Sequence, residues 1–217
     1  MRISWNASDP APVPVGQFDE FPLFLEARRL FSRRTQELVW ANTRRFADVI
    51  GPGHDAVNKA GWHTTSTSPF CFTASLHGQV VAAAWAMHIR AVEASEGCNL
   101  AYALLDHVEG RGLAKLLTAM AFDALFLENP QIEFVNVQSR DSNERASGLA
   151  RSFGMREIPK KGFGAVRPDS GSMISYRTYR LDAPTFAAAA KVVIAQRLQP
   201  PDEAPGACGL ARYPEST

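Results

Sequence analysis

The stretch Leu104–Lys115, which reads LLDHVEGRGLAK, decides the fold of this chain. An apolar strand runs into a turn with two glycines, and the residues after the turn begin an apolar helix. Gly110 and Gly112 allow backbone angles that a side chain would disfavour. The first-turn amides of the helix lack intrahelical partners and lie at the positive end of its dipole, so the arrangement can bind phosphate or pyrophosphate. A tight turn without a ligand is the alternative interpretation.

A second stretch, Asn143–Met155, reads NERASGLARSFGM and follows the next apolar strand. Together the two stretches resemble the GNAT superfamily of acyl-CoA-dependent N-acyltransferases. The pyrophosphate motif of that family is Gln/Arg-x-x-Gly-x-Gly/Ala. Gly112 and Ala114 match this motif, whereas Glu109 stands where the family has Gln or Arg.

The downstream pattern of the family is Asn-x-x-Ala, then Leu-Tyr, then Gly-Phe. In this chain Met155 replaces the Phe conservatively, and Ala150 replaces the Tyr. The residues that match in register are Asn143, Ala146, Leu149 and Gly154.

Length and composition bound the class of protein. The 217 residues suit one domain with extensions or two small domains, and a hydrophobic content of 46% is enough for a buried core. A net charge of +1 gives no sign of a nucleic-acid or membrane partner. No apolar run reaches the roughly 18–20 residues that cross a bilayer.

Compartment and redox state follow from the N-terminus and the cysteines. The first residues lack the apolar centre of a signal peptide. Cys71, Cys98 and Cys208 are odd in number and have no metal-ligand spacing, which favours free thiols in a reducing compartment. We therefore expect a cytoplasmic protein without a metal.

The order of apolar segments predicts an α/β protein. The resemblance implies a GNAT-like mixed, mostly antiparallel sheet, with a central parallel pair of strands that splay apart and helices on its flanks. Residues 18–198 would form a single acyltransferase domain between an N-terminal arm, 1–17, and a flexible Pro/Gly-rich tail, 199–217. The predicted elements are a short strand within 1–17, two helices within 18–50, a hairpin over 69–76 and 79–89, a loop over 93–97, strands over 99–105 and 132–137, helices over 113–127 and 143–153, strands over 163–167 and 172–181, and a terminal helix over 184–198.

The resemblance assigns an acyl-CoA, most commonly acetyl-CoA, to the glycine turn. The amides of Gly110–Lys115 would hold the pyrophosphate, and Arg111 and Lys115 could add charge, although a solvated helix start is the alternative. Asn143 would bond to the pantetheine arm, or serve only as a helix cap. The implied cofactor-binding set is Tyr102, Ala103, Leu104, Gly110, Arg111, Gly112, Leu113, Ala114, Lys115 and Asn143.

Two positions that often carry catalytic groups in the family hold other residues here. Gln138 stands where many relatives have a carboxylate, and an amide cannot act as a base at neutral pH. Ala150 stands where the leaving thiolate's acid is often found. The substitutes are Glu96 or His88 as base and Tyr102 as acid. A solvent-facing loop charge, a satisfied His and a core Tyr are the respective alternatives.

Neighbouring charges complete the set. Arg140 and Asp141 could bind substrate, or Asp141 could be a turn residue. Glu109 should point to solvent or pair with Arg111, because it would repel a pyrophosphate. Cys71 alternates with aromatic residues and is typical of a core position.

The sequence thus predicts an enzyme that transfers an acetyl group from acetyl-CoA to a primary amine by direct attack. The acceptor is a small molecule or a peptide, and no nucleic-acid partner, membrane or metal is expected. The resemblance also implies a homodimer, because dimers occur in the family. A non-catalytic CoA-binding module and a GNAT fold adapted to another acyl donor are the alternatives. A Rossmann enzyme fits poorly, because the glycines come in mid-chain without the expected acidic residue.

Overall fold

A computed structural model describes residues 12–26, 34–35, 38, 70–90, 95–159, 163–166 and 173–200. In these residues nine strands form one sheet, in the order β1-β2-β3-β4-β5-β6-β9-β7, with β8 also paired to β9. The strands are β1 (Val13–Phe18), β2 (Phe21–Leu25), β3 (Phe70–Leu76), β4 (Gln79–Arg90), β5 (Glu96–Leu104), β6 (Phe134–Arg140), β7 (Arg156–Glu157), β8 (Phe163–Val166) and β9 (Met173–Asp182). The helices are α1 (Leu113–Glu128), α2 (Glu144–Ser152) and α3 (Ala183–Arg197), with a 3-10 turn at Asp106–Val108.

Strands β5 and β6 are the one parallel pair in the described sheet, and all the other pairs are antiparallel. The parallel register begins at Gly97 opposite Phe134 and ends at Leu100 opposite Val137. Beyond that rung, β5 stays paired with β4 through Leu104, while β6 stays paired with β9. The two strands therefore part towards their carboxyl ends, which confirms the predicted sheet with a splayed parallel pair.

The sheet has two faces with different coverings. On the face that we call the helix face, α1 and α3 pack against the sheet and against each other. Leu113, Leu116 and Leu117 of α1 are completely buried there, and each such side chain stabilises the fold by about 1.5–3 kcal/mol. The opposite face, which we call the Trp85 face, carries a smaller cluster. Its buried members are Leu38, Cys71, Val80, Ala83, Trp85 and Ala103.

The predicted short strand within residues 1–17 corresponds to β1, which ends at Phe18, but the residues that follow it differ from the prediction. Residues 21–25 form β2 between β1 and β3, although the sequence predicted a helix from residue 18. Phe21 and Leu23 are both fully buried and Pro22 between them is exposed, so the burial follows the two-residue period of a strand. Most of the residues predicted to form the two helices within 18–50 lie outside the described residues.

Other boundaries moved by a few residues. Strand β5 begins at Glu96, so part of the loop predicted over 93–97 belongs to a strand. The short strand β7 was missed. Strand β1 crosses the predicted domain boundary at residue 18, and Gln17 forms an isolated bridge with Gln199. The sheet thus includes residues that the sequence assigned to the arm, and Gln199 of the predicted tail forms a bridge to one of them.

Candidate functional site

The glycine turn leads into the N-terminus of α1, whose first backbone amides receive no side-chain cap. Gly110 and Gly112 have φ values of 77° and 91°, in the left-handed region that favours glycine. Gly112 is the N-cap and offers no side chain, and the first helical bond runs from the Leu116 amide to its carbonyl at 3.1 Å. The three preceding amides, those of Leu113, Ala114 and Lys115, have no intrahelical acceptor.

Both cations predicted to contact phosphate are held by neighbouring elements. Arg111 forms a fork with the Glu20 carboxylate, one arm measuring 2.8 Å, and its guanidinium lies 4.7 Å from the centroid of the Phe21 ring. This hydrogen bond lowers the pKa of Glu20 and raises the pKa of Arg111. Lys115 Nζ donates to the Ser152 carbonyl at 3.1 Å.

Glu109 does not pair with Arg111, one of the two outcomes that the sequence suggested. Its carboxylate forms an ion pair with Arg145 of α2. Arg111 is already engaged by Glu20 of the β1–β2 turn, which the sequence could not place beside it because 91 positions separate the two residues.

A cation that the sequence did not suggest lies at the turn. Arg197, in the last turn of α3, packs its guanidinium against Gly112, with Cζ 3.2 Å from where a Cβ would stand. The same guanidinium lies 5.8 Å from the Phe18 ring centroid. A basic residue is common in the last turn of a helix because it interacts favourably with the helix dipole. Arg197 therefore had a local explanation, and nothing in the sequence connected it with the glycine turn.

The main chain of Tyr102 faces the space between the parted strands. In β5, the Glu96 carbonyl accepts a hydrogen bond from Glu133, just before β6, whereas the Leu105 amide donates to Val81 of β4. Because strand residues alternate in direction, even-numbered residues of β5 direct their backbone groups towards β6. Past Leu100 that neighbour has moved away.

The main chain of Gln138 faces the same space from the other side. In β9, the Thr178 carbonyl accepts from the Ile158 amide and so points away from β6. Asp141, three residues after Gln138, donates its amide to the Ser175 carbonyl of β9, so the backbone groups of Gln138 point the opposite way. Gln138 is opposite Thr178 in the register, so its own backbone groups point towards β5. The parted strands therefore present backbone polar groups to the gap from both walls.

The side chains of the predicted β5 site residues belong to the core. Ala103 and Leu104 are buried, and Tyr102 packs against the core of the helix face. Burial raises the pKa of Tyr102 to about 12. Because a free thiol has a pKa of about 8.5, a phenol with this pKa is a poor proton donor to a thiolate.

The two predicted bases lie away from the start of the gap. Glu96 is the first residue of β5 and not part of a loop, and four residues, or roughly 13 Å of strand, separate it from Leu100. His88 is opposite Cys98, about 7 Å along the strand from Leu100. The side chain of His88 lies outside the described part of the structure.

The residues of the second motif are arranged around the start of α2. Asn143 caps this helix, because its Oδ1 accepts from the Ala146 amide at 3.0 Å. Ala150 is fully buried, Gln138 is exposed, and Asp141 pairs with Arg177 at 3.2 Å. Asn143 is therefore a helix cap, as one of the two interpretations predicted. The cap uses only Oδ1, so the side-chain nitrogen Nδ2 could still donate to a ligand.

The described residues contain no group of three or more His, Cys, Asp and Glu residues arranged to hold a metal ion. None of the described helices has the length and apolar character to cross a membrane.

No protein-family model matches this chain, and no curated protein matches its sequence. Solved structures match it over most of its length. The RimJ protein of Mycobacterium smegmatis, in complex with CoA-disulfide, has a TM-score of 0.57 at 16% identity, covering 87% of this chain and 95% of that one. A ribosomal-protein-S5-alanine acetyltransferase from Vibrio fischeri has a TM-score of 0.53 at 9% identity, covering 78% and 96%.

A GNAT-family acetyltransferase from Streptococcus pneumoniae gives a TM-score of 0.51 at 13% identity, covering 74% of this chain and 99% of that one. Identities this low establish the architecture and leave activity and ligands open. The splayed parallel pair, the glycine turn before α1 and these similarities together lead to one conclusion. This chain has the fold of the GNAT superfamily of acetyltransferases.

Proposed function

We propose that this protein transfers an acetyl group from acetyl-CoA to a primary amine. The observation that supports this proposal best is the combination of two sites on one strand. Strand β5 parts from β6 after Leu100, and the same strand leads through the glycine turn to the uncapped amides of α1. A ligand with a diphosphate at one end and a thioester at the other matches this pair of sites.

The pyrophosphate would bind at the amides of Leu113, Ala114 and Lys115, which also lie at the positive end of the helix dipole. Arg197 would add the positive charge that the sequence assigned to Arg111 and Lys115. The pantetheine arm would then run along the gap beside the main chain of Tyr102, where its amides can pair with backbone groups as a further strand does.

In the reaction, the nitrogen of the neutral amine attacks the carbonyl carbon of the thioester and forms a tetrahedral intermediate. The amide N–H of Tyr102, whose main chain faces the gap, would donate to the oxyanion. The carbon–sulfur bond then breaks, CoA leaves as the thiolate, and the proton lost by the nitrogen ends on the sulfur through water. Gln138 and Tyr102 do not move this proton, because an amide is not a base and the phenol is too weak an acid.

The proposal is tested first by calorimetric titration with CoA, and then by release of free thiol from acetyl-CoA in the presence of a panel of amines. Gly112→Ala should weaken CoA binding at least tenfold, because a Cβ would strain the backbone at a φ of 91° and would displace the Arg197 guanidinium from the turn. Gly78→Ala in the β3–β4 turn is the matched control, since Gly78 also has a positive φ, 77°, meets nothing within 4 Å and lies outside the predicted cofactor-binding set. Unchanged CoA affinity in the Gly112 variant would count against the site.

A non-catalytic CoA-binding module is the second candidate. Two observations favour it: the exposed side chain at Gln138 is an amide, and the position of the usual acid is the fully buried Ala150. Thiol release with any amine removes this candidate. Tight CoA binding without release over the whole panel supports it.

A further inference from the structure

A row of polar side chains crosses the Trp85 face directly beside the parted strands. Asn99 of β5 is opposite Asn136 of β6, which is in turn opposite Arg180 of β9. Residues opposite each other in a sheet project from the same face. The next rung, Leu100 opposite Val137, is the last before the strands part. The row therefore lies at the edge of the gap, on the face that α1 and α3 leave uncovered.

Arg180 is held in place by stacking and by one hydrogen bond. Its guanidinium carbon lies 3.7 Å from the centroid of the Phe134 ring, and Nε donates to Asn136 Oδ1 at 2.8 Å. The Phe134 ring itself lies against Gly97, where a Cβ would collide with it. This stack fixes the plane of the guanidinium. None of the described residues accepts a hydrogen bond from its two terminal nitrogens.

The charge of Arg180 is not balanced by a described carboxylate. Asp182 lies two residues further along the same face, but it caps α3 by accepting from the Thr185 amide at 2.9 Å. Arg156, an exposed residue of β7, is directly opposite Arg180, so two cations share this face. Partial burial lowers the pKa of Arg180. Like charges opposite each other, one of them partly withdrawn from water, are unfavourable without an anion between them.

Asn99 adds a second unsatisfied group to the row. Its Oδ1 is buried and has no hydrogen-bond partner in the described structure. A buried acceptor of this kind requires a donor. Because Asn99 precedes Leu100, a donor bound to it would lie at the opening of the gap.

We infer that the acceptor amine carries a carboxylate, that Arg180 binds this carboxylate through its terminal nitrogens, and that Asn99 orients the amine. The inference rests on the proposed function. A planar guanidinium matches a carboxylate in a two-point contact, and a position fixed by stacking loses little freedom on binding. Gln138 faces the gap in which the thioester would lie. Arg180 is opposite Asn136, two residues before Gln138 in β6, so one strand spacing and two residues of strand separate Arg180 from Gln138, about 8 Å in all. The acceptor is therefore longer than an amino acid with adjacent amine and carboxylate.

The inference is tested with two probes that differ in one group, 6-aminohexanoate and hexylamine. Each is titrated calorimetrically into the protein, with and without CoA, and each is then offered with acetyl-CoA while free thiol is followed. We expect 6-aminohexanoate to bind at least tenfold more tightly than hexylamine. Arg180→Gln should bring the two affinities to within about twofold of each other, and Arg180→Lys should leave an intermediate preference.

Arg177→Gln is the matched control. Arg177 belongs to the same strand, is opposite Ser139 and so projects from the helix face, and it pairs with Asp141. The control should leave the preference unchanged. Equal binding of the two probes by the wild type, or an unchanged preference in Arg180→Gln, overturns the inference. Failure of CoA to bind, or of thiol to be released from acetyl-CoA, overturns the proposed acyl transfer instead, and the titrations without CoA still decide the role of Arg180.

Discussion

Arg197 and Arg111 show how the role of a side chain depends on its partners. Arg111 lies within the motif, yet its guanidinium is occupied by the carboxylate of Glu20. Arg197 lies far from the motif in sequence, yet its guanidinium packs against Gly112 and forms no ion pair with a described carboxylate. A phosphate bound at the helix amides could therefore pair with Arg197, whereas the charge of Arg111 is already neutralised by Glu20.

We therefore expect Arg197→Gln to raise the dissociation constant for CoA about tenfold, because a charge-assisted contact with phosphate is lost. Arg111→Gln should change it by about twofold or less. Calorimetry at two salt concentrations measures both effects, and the salt dependence of CoA binding should weaken in the Arg197 variant alone. Equal losses in the two variants would show that Arg111 leaves Glu20 to reach the phosphate.

Tyr102 gives a prediction about pH. Its pKa of about 12 exceeds the ordinary value of 10, so above pH 10 the unfolded chain loses this proton before the folded protein does. Stability therefore falls as pH rises from 10 to 12, by about 1.4 kcal/mol at pH 11 from this group. Tyr102→Phe should lose less stability between pH 9 and pH 11 than the wild type by about this amount, as measured by urea unfolding.

The same variant separates the two roles of Tyr102. If the phenol only fills the core, Tyr102→Phe keeps its rate of thiol release within about twofold. A loss of a hundredfold or more in kcat, without a change in CoA affinity, would instead support the proton-donating role that the sequence suggested.

At the scale of elements, α2 begins directly after β6, one of the two strands that part, and packs against it. Its cap, Asn143, lies three residues after Arg140, where β6 ends. The hydroxyls of Ser139 and Ser147 lie 3.2 Å apart and connect the strand with the helix. The position of Asn143, just beyond the end of β6, is thus set by its role as the N-cap of α2.

The two roles of Asn143 can be separated by two substitutions. Asn143→Ala should destabilise the protein by about 1 kcal/mol, because the Ala146 amide loses its acceptor. Asn143→Ser keeps an oxygen for the cap but no amide nitrogen for pantetheine. We expect near-normal urea unfolding for the serine variant and a weakened CoA affinity for both. Normal CoA affinity in the serine variant would show that Asn143 is a cap alone.

At the scale of the whole molecule, both ends of the described chain meet at the glycine turn. The β1–β2 turn supplies Glu20, and β1 supplies the Phe18 ring beside Arg197. The amide and carbonyl of Gln17 exchange hydrogen bonds with those of Gln199, at 3.0 Å and 2.9 Å. The candidate cofactor site is therefore supported by segments from opposite ends of the described chain.

Gly16 tests this coupling. It has a φ of 151°, and a Cβ there would stand 2.5 Å from the Gln199 carbonyl oxygen and 2.7 Å from a Leu198 methyl carbon. Gly16→Ala should destabilise the protein by about 2 kcal/mol, as overpacking does, and should weaken CoA binding severalfold by displacing Arg197. Gly148→Ala in α2 is the control, since nothing lies within 4 Å of the added carbon. Thermal unfolding and CoA titration report the two effects separately.

The sequence by itself determined the features that depend on local backbone chemistry. Two glycines before an apolar helix predicted an uncapped N-terminus, Asn143 predicted a cap, and the apolar periods placed α1, the hairpin and the last strands correctly within a few residues. Each of these follows from dihedral freedom, hydrogen bonding or side-chain period within about ten residues of chain.

Only the tertiary structure decided which distant residues meet. Phe21–Leu25 became a strand because β1 and β3 pair with it, which a short apolar run cannot specify alone. Arg197 reached Gly112, and Glu20 reached Arg111, through packing between elements at opposite ends of the chain. The row from Asn99 to Arg180 exists only through the register of three strands. Register and packing are set by the whole core together, so no local pattern records them.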